Sequence, residues 1–219
     1  MKFFALALLA SAFLLAGCAQ VDDSASVQPT APLPSEAIVT PILVESTGAF
    51  AGGLDGLLLL GKELPDAAFK LQKKELMEKA PSPLPQKGWK SGVVVSFLKS
   101  ESGETVRLWQ IKHEVSRYEP EFVVPAMQAV FDVKQNTQKM LAATENAIRV
   151  TRLADPGFGT QSAFYKTELD PDNPNGMVVL EVFFADRGIL EVVSFTGPDV
   201  TEKAALALAE TAAKRMAAA

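Results

Sequence analysis

The stretch MVVLEVFFADRGILEVVSFTG, residues 177–197, decides the fold of this chain. Its two runs, 177–185 and 189–196, are rich in β-branched and aromatic residues and are the strongest strand signals in the sequence. The triplet Asp186-Arg187-Gly188 separates them and places a glycine where a hairpin turn needs a left-handed residue. Both runs are apolar at nearly every position, so we expect two antiparallel strands near the centre of a sheet.

Further strand signals lie on the amino-terminal side of this hairpin. Residues 92–98 and 105–115 read as strands joined by a polar turn at 100–103, which predicts a second hairpin. Residues 161–169 form a fifth strand-like run. Residues 148–152 alternate apolar and polar positions, and this pattern fits either a short strand or the frayed end of a preceding helix.

Helical patterns separate these strands. Pro65 and Asp66 suit the first turn of a helix that we expect to reach about residue 79, before the proline-rich stretch that follows it. Apolar residues at helical spacing predict a second helix from about 120 or 125 to 144.

The carboxyl-terminal helix has signals at both ends. Asp199 is the expected N-cap, with Glu202 three residues on, and Glu210 and Lys214 stand four residues apart as an ion pair. The predicted order is therefore α-β-β-α-β-β-β-α. Consecutive strands joined by short turns favour an α+β fold, an antiparallel sheet of about five strands with helices packed on it.

The first residues carry an export signal. Lys2 is followed by an apolar run to residue 15, too short for a membrane-spanning helix, and then by Ala16, Gly17 and Cys18. The stretch Leu-Ala-Gly-Cys at 15–18 resembles the bacterial lipobox. The resemblance implies a signal peptide at 1–17 and a diacylglycerol on the Cys18 thiol. A free thiol is the alternative, because Cys18 is the only cysteine and can form no intramolecular disulfide.

The composition after the cysteine predicts the domain organisation. Residues 18–44 are rich in Ser, Ala, Pro and Thr and are expected to be a disordered tether, while 45–219 are expected to form one α+β domain. Ala19 follows the cysteine, and in the lipobox class an Asp at this position would favour the inner membrane. Ala19 therefore indicates the outer membrane, facing the periplasm, if the host is Gram-negative.

The net charge bears on the class of partner. Without Lys2 the chain has 20 basic and 26 acidic residues, a net charge of −6 that argues against nucleic-acid binding.

Two motifs suggest chemistry and are weighed against plainer interpretations. DPDNPNG at 170–176 starts like a calcium loop, with Asp170, Asp172 and Glu181 as ligands, but Gly176 stands one place late for the required turn. A plain hairpin connection is the favoured interpretation. His113, the single histidine, lies on a predicted strand, where it is more often structural or merely exposed than catalytic. No metal site, cofactor or catalytic residue is predicted.

Two surface features also have alternative interpretations. Residues 62–99 hold eight lysines and four acids, which would suit anionic lipid headgroups, although a solvated face is the simpler interpretation because the two charges are interleaved. Trp89 and Trp109 could line a pocket or a partner surface, and core packing is the default for both.

The folded part also resembles a known class in its element order and in a few segments. These are LLLLGKELPDAAF, Gly88-Trp89, GTQSAFY and ADRGILEVVSFTG. It resembles the small sensor-type domains of exported bacterial lipoproteins, which are related to domains outside the membrane on some receptor serine/threonine kinases. Those domains often carry disulfides, and an α/β/α sandwich of the PsbP type is a comparable architecture. The resemblance implies binding or sensing and nothing catalytic.

Three functions are therefore open. The preferred one is a lipid-anchored, non-catalytic module of the cell envelope that binds a ligand or partner protein. The second is a structural or biogenesis factor without a small ligand, and the third is an envelope hydrolase. An open pocket with a polar rim would favour the first, and a flat apolar patch the second.

Overall fold

The computed structural model describes residues 53–103, 106–141, 148–173 and 176–219, all within the compact unit Val44–Ala219. The predicted leader, Cys18 and the tether lie outside the described residues and stay predictions. The described chain opens with two short 3-10 turns, Leu54–Leu57 and Gly61–Glu63. We refer to residues 54–63 as the N-terminal strap.

The described residues form seven strands and two α-helices. The strands are β1 (Lys70–Met77), β2 (Trp89–Glu101), β3 (Arg107–Tyr118), β4 (Ile148–Arg152), β5 (Gln161–Leu169), β6 (Met177–Asp186) and β7 (Ile189–Gly197). The helices are α1 (Pro120–Leu141), between β3 and β4, and α2 (Glu202–Ala218), after β7.

All strands belong to one antiparallel sheet with the order β1-β2-β3-β7-β6-β5-β4. The stretch 177–197 forms the predicted hairpin, and β7 is the central strand. Arg187 and Gly188 both have positive φ, 43° and 84°, as a two-residue turn requires when it follows the twist of the sheet. The α+β prediction is confirmed at this level, and the hairpin of β2 with β3 is also present.

The prediction of about five strands is wrong, because the described sheet has an additional strand at each edge. The predicted helix over 65–79 is a turn followed by the edge strand β1, so the predicted element order is also wrong. Its sequence KLQKKELM has high helix propensity, but β2 needs a partner for its outer hydrogen-bonding groups, and that pairing overrides propensity. Lysines suit an edge strand because they discourage pairing with other chains. At the other edge, residues 148–152 are strand β4.

The cap of α2 also differs from the prediction. Thr201 is the N-cap, and its hydroxyl accepts a hydrogen bond from the Ala204 backbone N–H. Asp199 stands two residues too early for this role, and its carboxylate binds side chains of β3 instead. The predicted pair of Glu210 with Lys214 is present at 2.8 Å.

Two apolar clusters cover the two faces of the sheet. On the first, called the α1 face, Met127 and Val130 of α1 pack with Phe183 and Leu190. On the second, called the α2 face, helix α2 and the strap share one cluster with residues of β2, β3, β6 and β7. Every core residue described follows position 53.

Candidate functional site

A cleft of about 190 Å³ opens on the α2 face, where the turn before β1, strands β2, β3 and β7, and the start of α2 meet. Apolar and charged side chains both line it, because the strand ends carry the charges and the sheet face carries the aromatic residues. The lining residues are Pro65, Asp66, Phe69, Lys99, Trp109, Phe195, Asp199, Val200, Thr201 and Ala204.

Trp109 of β3 forms the centre of the cleft. The residue is only 6% exposed, and its Nε1–H donates to the Asp199 carboxylate at 2.6 Å. The ring lies directly against Gly197 at the end of β7, where an added Cβ would come within 2.2 Å of the indole. Gly197 is therefore required for the position of Trp109, since any larger residue would displace the indole.

Two cations flank the indole. The Lys99 ammonium lies 4.8 Å from the ring centroid, and the Arg107 guanidinium lies 5.1 Å from it. Each is within the range of a cation–π interaction. Arg107 also contacts Asp199 at 3.1 Å, so one carboxylate holds both the indole and a cation.

Lys99 connects the cleft to the turn before β1. Its ammonium contacts Asp66 at 2.8 Å and Glu101 at 2.9 Å. The hydrogen bonds from Lys99 to these carboxylates raise its pKa, Asp66 contributing most. The hydrogen bond from Lys99, followed by that from the Ala68 backbone N–H, lowers the pKa of Asp66. Both groups are therefore charged at neutral pH.

The opposite wall is apolar. Phe69 and Phe195 meet edge to face, with ring centroids 6.0 Å apart and an interplanar angle of 70°. Ala204, on the first turn of α2, leaves the space open because its side chain is a single methyl group. The cleft can thus hold a group with an apolar body against the phenylalanines and a polar end towards Lys99 and Asp66.

His113 lies outside the cleft, fully buried beneath the strap. Its Nε2 is 2.9 Å from a carboxylate oxygen of Glu191, which is also fully buried, and its Nδ1 accepts from the Leu59 backbone N–H at 3.1 Å. Full burial contradicts the interpretation of His113 as merely exposed. Glu191 was not singled out in the sequence, because a polar residue in an apolar strand shows its partner only in three dimensions.

The calcium motif is not assembled among the described residues. Glu181 is held by the Lys134 ammonium, and Asp170 accepts a hydrogen bond from Asn173. Positions 174 and 175 lie outside the described residues. Within the described ranges, no group of three or more His, Cys, Asp or Glu stands close enough to hold a metal ion.

The two tryptophans differ in role. Trp89 packs at the edge of the α1 face, and its Nε1–H donates to Ser116 Oγ at 3.4 Å, in line with the default of core packing. Of the two, only Trp109 lines the cleft. Two ends of strands complete the site: Lys99 lies near the end of β2, whereas Gly197 ends β7 and Asp199 follows it by two residues. No local spacing in the sequence links the end of β7 to Trp109, about 90 residues earlier.

Four of the eight lysines of 62–99 form ion pairs with acidic side chains, namely Lys73, Lys74, Lys90 and Lys99. Lys73 contacts Glu75 at 2.5 Å, and Lys90 forms an ion pair with Glu119. Because these pairs neutralise charge locally, they support the interpretation as a solvated face.

No described helix combines the length and the apolar composition needed to cross a membrane.

Comparison with known proteins gives a structural neighbour but no sequence relative. No protein-family model matches the chain, and no curated protein matches it. Among solved structures, the chain is similar to the extracellular domain of PknH from Mycobacterium tuberculosis, with 13% identity and a TM-score of 0.44. The match covers 74% of this chain and 94% of the other. At this level the similarity carries no argument about function.

Proposed function

We propose that this protein is an exported, lipid-anchored module of the cell envelope that binds, without catalysis, one group of a ligand or partner in the Trp109 cleft. The observation that carries the proposal is the cleft itself, which is open, has an apolar wall and is rimmed by charges already paired with one another. The lipid on Cys18 would hold the protein on the membrane, and residues 18–44 would let the domain reach its target.

The size of the cleft indicates how much of a ligand it takes. Pockets that enclose a whole small molecule measure about 300–1,000 Å³. A cleft of about 190 Å³ suits a single ring or one long side chain that projects from a larger molecule. The ligand is therefore expected to be a polymer or a protein of the envelope rather than a free metabolite.

The charges of the cleft favour binding over hydrolysis. A carboxyl group that acts as a general acid near neutral pH needs a raised pKa. The pKa of Asp66 is lowered instead by its hydrogen bond from Lys99, and Asp199 is held by Trp109 and Arg107. These carboxylates orient the cations and the indole.

A structural or biogenesis factor would present a flat apolar patch, and no observation favours one. The large apolar side chains that are exposed in the described residues are spread over the strap, β1, β3 with the residue before it, and α1. They are Leu60, Leu71, Leu76, Val106, Leu108, Val124, Val133 and Met140.

Binding in the cleft is tested with a chain that begins at Glu45, using the two indole N–H signals in NMR spectra. The probes are amino-sugar oligosaccharides, short peptides and phosphate monoesters. One class is expected to shift the Trp109 signal while Trp89 stays unchanged. Ala204→Leu should abolish the shift by filling the cleft, whereas Ala207→Leu, exposed on the same helix, should preserve it. If no class moves the Trp109 signal, or Ala204→Leu binds as before, the cleft is not the site.

The anchor is tested independently. Cys18→Ser should leave an unprocessed or soluble form, because the thiol accepts the lipid in the lipobox class. If Cys18→Ser fractionates with membranes as the parent protein does, and has the same electrophoretic mobility, the lipoprotein proposal is wrong. That result would leave the proposal of binding in the cleft unaffected.

A further inference from the structure

The strap is held on the α2 face by apolar and polar contacts. Leu54, Leu57, Leu58 and Leu59 are buried in the cluster that includes β2, β3, β7 and α2. Two side chains from the body of the domain bind the strap's backbone: His113 of β3 at Leu59, and Arg215 of α2 at Leu58. The strap is also the first described segment after the region that carries Cys18.

The hydrogen bonds define the tautomer of His113. The Leu59 backbone N–H can only donate, so Nδ1 must accept and carries no proton. The ring proton is therefore on Nε2, where it is donated to Glu191 Oε2 at 2.9 Å. The docked strap requires a neutral imidazole.

The charged groups around this pair come from four elements: β7, α2, the strap and β1. Glu191 faces His113 from β7, and its second oxygen, Oε1, is buried with no hydrogen-bond partner among the described residues. Arg215 comes from α2 and binds the carbonyl of Leu58 and the carboxylate of Glu63. On the strap, Asp55 contacts Lys74 of β1 at 3.5 Å. No solvent reaches the His113 or Glu191 side chain while the strap is docked.

We propose that His113 is a proton-operated latch: a second proton on its imidazole releases residues 54–63 from the sheet. That proton must bind Nδ1, where it would point at the N–H of Leu59. Two donors cannot share this contact, so the imidazolium form and the docked strap exclude each other. Once the strap opens, water reaches the pair and Glu191 holds the imidazolium as an ion pair.

Glu191 acts in the opposite direction. Burial raises the pKa of Glu191, and the hydrogen bond from His113 only partly offsets this. A proton on its Oε1 would leave Oε2 able to accept from Nε2 and the strap able to stay docked. Protonation of His113 therefore favours the released strap, whereas protonation of Glu191 favours the docked strap. The experiment must separate these two effects of acid.

Release of the strap would change the reach of the domain. Ten residues at about 3.3 Å each would add roughly 30 Å to the connection with the membrane. This consequence rests on the proposed lipid anchor, but the latch itself does not. Acidification at the cell surface would thus let the cleft reach further from the membrane.

The latch is tested by amide hydrogen exchange in a chain that begins at Glu45. The protection factor of the Leu59 amide is compared at pH 8 and pH 5, with amides of β6 as internal controls. We expect protection at Leu59 to fall about tenfold or more while β6 is unchanged. His113→Gln can keep one donor and one acceptor but binds no proton in this range, so it should abolish the fall. Glu191→Gln should preserve the fall.

A direct measurement covers the case in which His113→Gln does not fold. His113 is the only histidine, so its ring nitrogen signals need no assignment in an untagged chain. They should change from the Nε2–H tautomer to the imidazolium over the pH range in which Leu59 loses protection. Unchanged or increased protection at pH 5, or a fall that persists in His113→Gln, would overturn the proposal.

Discussion

The two faces of the sheet are built on different principles. The α1 face is closed by one helix of 22 residues whose buried positions are apolar. That face also holds the ion pair of Lys134 with Glu181. The α2 face is closed by a helix and a strap, and it carries Trp109 with its charges and His113 with Glu191. Trp109 and His113 stand four residues apart on the same side of β3. Under the proposals made above, the α1 face mainly provides stability, whereas the α2 face holds the groups proposed to respond to a ligand or a proton.

The largest expected effect is on the α2 face. His113→Leu should lower the free energy of unfolding by roughly 3–5 kcal/mol at pH 7, because it leaves Glu191 buried without its partner. Urea denaturation measures the change. The double variant His113→Leu, Glu191→Leu should recover much of the loss, since two apolar side chains leave no unpaired group. A single variant as stable as the parent protein would mean that the pair is not coupled.

The corresponding test on the α1 face is a substitution that removes apolar packing contacts and no charged or hydrogen-bonded group. Met127 is fully buried, and Met127→Ala should cost about 3 kcal/mol through the cavity it leaves. The loss should be the same at pH 5 and pH 8, because no titratable contact is changed. A pH-dependent loss would contradict the separation of roles between the two faces.

A polar group whose titration can be tested on the α1 face is Tyr118, whose hydroxyl donates to the Pro85 carbonyl at 2.9 Å. Burial raises the pKa of Tyr118 to about 12. The folded state therefore keeps a proton that the unfolded chain loses near pH 10. The resulting stability is fully present below pH 10 and is lost as the pH rises towards 12, by about 2 kcal/mol.

Tyr118→Phe serves as the control for this titration. The variant has no phenolic proton, so its free energy of unfolding should fall less steeply between pH 10 and pH 12. Equal slopes in the two proteins would show that Tyr118 ionises alike in the folded and unfolded states.

The smallest expected effect is at the cleft. Asp199→Ala removes the acceptor for Trp109 and the partner of Arg107, but Asp199 is exposed, so the loss should be about 1 kcal/mol or less. Asp199→Asn can keep the bond to the indole and should cost even less. Thermal denaturation compares them. A loss above about 2 kcal/mol would make Asp199 part of the core and weaken its assignment to a binding site.

The sites could be predicted only in part. The sequence singled out His113 and Trp109, and it predicted the strand that carries them. It did not show that Glu191, 78 residues away in the chain, is the partner of His113, or that Asp199 holds Trp109. A side chain's partner across a sheet depends on strand order and register, and neither is a local property of the chain.

Local patterns by themselves determined the strands β2, β3, β5, β6 and β7, the helices α1 and α2, and the tight turn at Arg187 and Gly188. In these segments the side-chain period and the turn residues agree with the final structure, so local interactions suffice. Only the tertiary structure decided that residues 70–77 are a strand and that Thr201 caps α2. It also decided that Gly197, Lys99 and Asp199 meet at Trp109. The strand at 70–77 and the contact of Asp199 with Trp109 depend on partners far away in the chain, and a distant partner can outweigh a local preference worth a few tenths of a kcal/mol per residue. The hydrogen bond of Thr201 to Ala204 is itself local, but the competing cap, Asp199, is held by distant residues of β3.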